Sequence, residues 1–253
     1  MTPHATLTVV AGIPDVRPGM SLPDVLVAAL RGAGPAPEAG DVLVVAQKIV
    51  SKAEGSVVDL AEVVPGEDAR RLGRETAKDP RLVEVILRES RQVVRVHQGV
   101  LITEHRLGFI SANAGVDHSN VGLGPEVVSL LPRDPDASAR AIRDAVGTAF
   151  GVPVAVIIND SHGRPHREGA IGVCIGAAGL EPLLDLVGRP DLYGYTLRTS
   201  VEAVADELAA AATLLQGQCD EGTPAVLIRG LQVPAGDGGA TQLLRDPSRD
   251  LFR

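Results

Sequence analysis

A chain of 253 residues, 45% apolar and 22% charged, has the length for one substantial core and an ordinary globular composition, which excludes a disordered or fibrous design. The formal net charge of -8 argues against binding a nucleic-acid polyanion, and an aromatic content of 2% without Trp removes the platforms on which bases stack. Cys174 and Cys219 are too few for a disulfide framework or a tetrahedral zinc site and read as structural.

Short β-rich runs alternating with helical patterns predict an α+β (mixed α/β) class, with no internal repeat at solenoid or propeller periods. The first run is Thr6 to Val10, and the start MTPHATLTVVAGIPDV carries no secretory pattern. No stretch reaches the roughly 18 apolar residues of a membrane span. With two reduced thiols, these features point to the cytoplasm. The next run, Val42 to Ala46, leads into QKIVSKAEG. If that segment turns helical, Lys48 and Lys52 share a face and can hold a triphosphate; alone they are an exposed charged face. The pattern G-x-x-x-x-G-K-[ST] is absent, and no G-x-G-x-x-G follows a strand.

After a run at Val93 to Val96 comes ANAGVDHSN, in which Gly115, Asp117, Ser119 and Asn120 form a turn-like set of small and oxygen-bearing groups. Asp117 can ligate a hard cation, although Asx turns use the same residues. A helix is predicted over Ala137 to Phe150, after Asp136 and before Gly151. The apolar run Val152 to Ile158 delivers Asn159, Asp160, Ser161, His162 and Gly163 at its carboxyl end, where ligands bind in α/β proteins. An acid beside a hydroxyl suits two neighbouring metal ions. His162 and His166 read as structural or solvent-facing, because nothing completes a Cys/His set. Arg164 and Arg167 suit phosphate, carboxylate or a solvated turn.

The glycines from Gly169 to Gly179 suit close backbone packing. A second helix is predicted over Val201 to Leu215, with a capping box between Thr199 and Glu202. Gln218, Asp220 and Glu221 then occupy the junction before the last run, Ala225 to Ile228. Pro234 to Ala240 reads as a flexible linker, followed by a tail with an apolar Leu251-Phe252 pair.

In this order, GIPDV (Gly12 to Val16), QKIVSKAEG, ITEHRLGFISANAGVDHSN, NDSHGRPHREGAIGVCIG and ADELAAAATLLQGQCDEGTPAVLIRG resemble the coenzyme F420:L-glutamate ligase family, also called F420-0:gamma-glutamyl ligase. The resemblance implies a two-lobed fold, an intertwined homodimer and a ligase unit over 1-232, with 233-253 as linker and tail. Longer members continue into a reductase-like domain. It implies GTP-dependent joining of L-glutamate to the carboxylate of the F420 precursor through an acyl phosphate, followed by γ-linked extension, with two divalent ions (Mg²⁺ or Mn²⁺) and a potassium ion. Carried over, Asp117 and Asp160 hold one divalent ion, and Ser161 and Gln218 the other. Ile13, Pro14, Asp15, Val16, Gln47, Lys48, Lys52 and Asn120 contact GTP. Asn159 and His162 stand where the family pattern has Ser and Phe, and His166 where it has Trp. The alternatives on residue chemistry are a metal-dependent phosphohydrolase and a non-catalytic nucleotide- or deazaflavin-binding protein.

Overall fold

The computed structural model describes residues 4-251; Phe252 of the apolar tail pair lies outside the described residues. The chain runs β1 (Thr6–Val9), α1 (Leu22–Gly32), β2 (Val42–Ala46), α2 (Gln47–Glu54), β3 (Val57–Asp59), α3 (Glu67–Thr76) and α4 (Pro80–Arg88). It continues through β4 (Ser90–His97), β5 (Val100–His105), β6 (Ile110–Ala112), β7 (Val127–Ser129) and α5 (Pro135–Phe150). The last part holds β8 (Ala155–Arg164), β9 (Arg167–Ala178), β10 (Leu184–Asp185), β11 (Val201–Glu202), α6 (Val204–Gln216) and β12 (Ala225–Arg229). This is a mixed α and β architecture.

The central sheet has the order β1-β12-β2-β8-β9. Only β2 and β8 are parallel, in the register Val42↔Ala155 to Ala46↔Asn159. Val42 to Val45, Ala225 to Ile228 and Ala155 to Ile158 are all buried, as continuous apolar runs covered on both faces should be. The helices α5 and α6 both pack against β9. They meet it where side chains are missing. A Cβ at Gly172 would lie 2.6 Å from the Ala209 carbonyl oxygen of α6, and one at Gly176 would lie 2.5 Å from the Pro135 backbone of α5. Between them Ile175 is an extra residue, because Ile158 pairs with Gly176 but Asn159 with Cys174. That bulge shifts the alternation by one residue and turns the two glycines to opposite faces. The close-packing reading of these glycines holds.

A second apolar cluster, including Leu72, Val83, Ile86, Leu101, Val116 and Val128, is built from α3, α4, the small sheet β3-β7, and β4 and β5 of the sheet β4-β5-β6.

Several boundaries differ from the sequence expectation. The strand expected to end at Ile158 runs on to Arg164, since β9 pairs with it as far as Arg164↔Arg167 around a tight turn with His166 at φ 61°. Asn159 to His162 therefore lie within a strand. Helix α5 begins two residues earlier than expected: Asp134 Oδ1 caps it by accepting from Ala137 N at 2.9 Å, and Pro135 takes the first position. The Thr199/Glu202 capping box does not form. Glu202 is taken up in β11 opposite Leu184, and α6 starts after Ala203, which makes no side-chain cap. The ladder occupies the residues the box would need. The Pro234 to Ala240 stretch is bound to the core: Glu181 N donates to Pro234 O at 2.9 Å and Ala240 N to Asp136 Oδ1 at 3.0 Å. Cys174 is buried, and its thiol is pushed up by burial and by Asp206. Among the described residues no helix is long and apolar enough to cross a membrane.

Candidate active site

The antiparallel pairings bring distant segments to the carboxyl edge of β2. There β1 ends and feeds Gly12 to Val16, tied by Val10 N to Ala225 O at 2.9 Å. The loop before β12 arrives at the same edge, where Ala46 N donates to Pro224 O at 2.8 Å. Strand β2 passes directly into α2, while β8 extends beyond it with Asp160 and Ser161. The Asp117 to Asn120 loop closes another side. Asn120 adopts φ 54°, a left-handed conformation Asn tolerates, and its Nδ2 donates to Cys219 O at 3.0 Å.

Between these segments lies a cavity of about 410 Å³. Ile13, Pro14, Asp15, Val16, Gln47, Lys48, Lys52, Asp117, Asn120, Asp160, Ser161 and Gln218 all line it. His162, Arg164, His166 and Arg167 do not. Exposed Cys219 does, contrary to a purely structural reading, and so do Asn159, Thr213 and Gln216, of which the last two were not singled out in the sequence.

The helical alternative for QKIVSKAEG is realised, and both lysines face the cavity. Lys48 Nζ donates to Asp117 Oδ2 at 2.7 Å and to Ser129 Oγ at 2.9 Å. One turn on, Lys52 Nζ donates to Asp15 Oδ1 at 2.8 Å from a side chain only 7% exposed. Burial pushes the Asp117 carboxyl up, but the Lys48 ammonium and hydrogen bonds from the Ser119 hydroxyl and amide outweigh it and leave the group below the usual carboxylate range. Lys52, with help from Arg17, holds Asp15 low as well. Ala46 precedes α2 and offers its first turn no side-chain cap, so those amides remain available to an anion.

Asp160 is braced from behind: its Oδ2 lies 3.1 Å from His162 Nε2, and that ring meets Phe109 edge-on at 6.4 Å. Five carboxylates (Asp15, Asp117, Asp160, Asp220 and Glu221) face two ammonium groups around the cavity, an excess of three negative charges. The donors Asp117, Asp160, Ser161 and Gln218 offer carboxylate, hydroxyl and amide oxygen, the chemistry hard divalent cations favour. Among the described residues no three His, Cys, Asp or Glu side chains form a metal-binding group. Any ion here would therefore draw on mixed oxygen donors.

The family model for F420-0:gamma-glutamyl ligase matches residues 12-230. The chain belongs to this family. Over 248 residues it is 48% identical to the coenzyme F420:L-glutamate ligase of Methanothermobacter thermautotrophicus, covering 96% of this chain and 97% of the relative. Over 242 residues it is 48% identical to the enzyme of that name from Methanopyrus kandleri, covering 94% and 93%. The Haloarcula marismortui relative is 41% identical over 253 residues, covering 96% and 94%. For this F420-0:gamma-glutamyl ligase family member, the matched span runs from Gly12, one residue before the cavity-lining Ile13, to Gly230, just after β12. All the segments that build the cavity lie inside it.

Proposed function

We propose that the chain is a ligase that uses GTP to join L-glutamate to the terminal carboxylate of the coenzyme F420 precursor and then extends it through γ-linkages, releasing GDP and phosphate. The observation that carries this reading is the convergence of twelve residues, from five separate segments, on one cavity. A carboxylate is a poor acyl donor, so phosphoryl transfer from GTP to the precursor gives an acyl phosphate that the glutamate amine attacks. Lys48, Lys52 and the uncapped start of α2 bind and orient the triphosphate, which requires Lys48 to exchange Asp117 for phosphate. Asp117 and Asp160 hold one divalent ion, and Ser161 and Gln218 hold the other. Such ions supply charge neutralisation at the phosphate oxygens. Cys174, buried with a raised thiol, takes no part.

In this reading the two apolar clusters support the two-lobed form. Exposed Val187, Leu192, Tyr193, Tyr195 and Val201, on and between β10 and β11, support a homodimer. Sedimentation of the purified chain tests the dimer.

The reaction is tested with purified protein, Mg²⁺ or Mn²⁺, GTP, precursor and L-glutamate. GTP cleavage that requires both co-substrates, with product mass increasing by glutamyl units, is the expected result. Cleavage without them marks a phosphohydrolase, and no cleavage marks a binding protein. Precursor labelled with ¹⁸O in its carboxylate must pass one labelled oxygen to phosphate; unlabelled phosphate overturns the acyl-phosphate route.

A further inference from the structure

At the floor of the cavity two amide side chains are bonded to each other in both directions. Asn159 Nδ2 donates to Gln216 Oε1 at 2.7 Å, and Gln216 Nε2 donates back to Asn159 Oδ1 at 3.2 Å. The remaining capacity is also used: Asn159 Nδ2 reaches Thr213 Oγ1 at 3.1 Å and Ala209 O at 3.4 Å, and Gln216 Nε2 reaches Pro224 O at 3.4 Å. Asn159 is only 4% exposed. A donor and acceptor set so fully engaged has little left to offer a ligand, and a buried amide left unpaired would cost the desolvation of its polar atoms. The pair therefore acts on what it connects.

It connects β8 to the end of α6. Asn159 stands two residues before Ser161 on β8, and Gln216 stands two residues before Gln218, where α6 gives way to the loop. On β8 that spacing returns Ser161 to the same side of the strand as Asn159. The approach of α6 that permits the link depends on Gly172, which is paired with Ser161 across the hairpin and has no Cβ to strike Ala209 and Thr213.

We propose that Asn159 and Gln216 are positioning residues that fix the separation of Ser161 and Gln218, and so set the affinity of that pair for a hard divalent cation. The proposal rests on the two-ion reading given above. Neither amide touches the ion or the reacting atoms.

Mn²⁺ titration by electron paramagnetic resonance, with a non-hydrolysable GTP analogue present, tests it through binding as well as turnover. The unsubstituted chain is expected to take up two ions. Asn159→Ala removes the link, and it should weaken one of the two ions tenfold or more while leaving the other within twofold. In turnover, the Mn²⁺ concentration for half-maximal rate rises, while kcat at saturating Mn²⁺ stays within threefold. The exchange variant, Asn159→Gln with Gln216→Asn, keeps the combined reach of the two amides and should recover the weakened ion to within threefold. Gln216→Ala is measured alongside, since it leaves Asn159 with Thr213 and Ala209 as acceptors and should fold if Asn159→Ala does not. Two ions bound as tightly as in the unsubstituted chain, or both weakened equally in step with a lower Tm, overturn the positioning role. Fewer than two ions on the unsubstituted chain overturns the two-ion reading and this proposal with it.

Discussion

Replacing Lys52 with Met separates nucleotide binding from folding, because Met keeps most of the buried aliphatic stem and removes the ammonium. Its partner Asp15 is half-exposed. Water screens such a pair, and exposed ion pairs contribute about 0-1 kcal/mol. For a chain of this size 1 kcal/mol corresponds to about 2-4 °C, so Tm should fall by no more than about 4 °C. A charge-assisted hydrogen bond to phosphate is worth about 1.5-3 kcal/mol, and at about 1.4 kcal/mol per decade its loss weakens affinity about 10- to 150-fold. The lower part of that range is expected, because Lys52 gives up Asp15 when it takes phosphate. Calorimetric titration with a non-hydrolysable GTP analogue and Mg²⁺, at fixed ionic strength, measures it. A change under about threefold refutes the assignment, and a Tm loss above about 8 °C shows that Lys52 serves the fold.

Asp117→Asn and Asp160→Asn should each abolish ligation, since neutral amide oxygens hold hard cations weakly, with Tm nearly unchanged for Asp160→Asn and lowered for Asp117→Asn, which leaves Lys48 without its carboxylate; normal turnover of either purified variant removes that residue from the site. Asp117 has a lowered pKa in the folded chain, so its pairing with Lys48 stabilises above the unfolded value of about 3.9 and is lost as pH falls through the lower folded value. The stability gap between the unsubstituted chain and Lys48→Met, measured by urea unfolding, should be flat from about pH 5 to 8 and close below about pH 4; closing on the alkaline side contradicts the pairing. Gly176→Ala drives a Cβ into the Pro135 backbone and should cost about 1-3 kcal/mol by the same unfolding assay, whereas an unchanged midpoint would show that α5 yields freely. Chelation of divalent ions should weaken GTP-analogue binding more than Lys52→Met does, and indifference to chelator would exclude a metal-bridged nucleotide.

The residues most legible from sequence were those whose signal is local. QKIVSKAEG follows an apolar run, carries lysines at helical spacing and ends at Gly55, so its helix and the shared face of Lys48 and Lys52 could be foreseen. What escaped depends on pairing across the chain. Past Ile158 the strand β8 has only polar residues and glycine, and β9 keeps it extended, so no alternation marked its end at Arg164. Thr199 and Glu202 fit a capping box locally, yet β10 claims Glu202 first. Gln216 reads as a polar helix end, and its partner Asn159 is 57 residues away. The sheet order, which alone explains why Gly12 to Val16 meets Pro224, has no local signature at all.

The net charge of -8 and the excess of three negative charges around the cavity bear on how a polyanion can bind here. In the free protein both cavity lysines are already engaged, Lys48 by Asp117 and Lys52 by Asp15. A triphosphate entering alone meets carboxylates with no uncommitted ammonium, and two like charges about 4 Å apart repel by about 4 kcal/mol at the effective dielectric of a protein surface. In the proposed reading a divalent cation would change both sides of that balance. It would convert Asp117 and Asp160 from repelling groups into ligands, and by drawing Asp117 away it would free Lys48 for phosphate. On that reading, the acidic character that argues against nucleic acid is the same feature that would make nucleotide binding conditional on the cation. Selectivity against bare anions and recruitment of a metal-bound nucleotide would then follow from one set of carboxylates in this cavity.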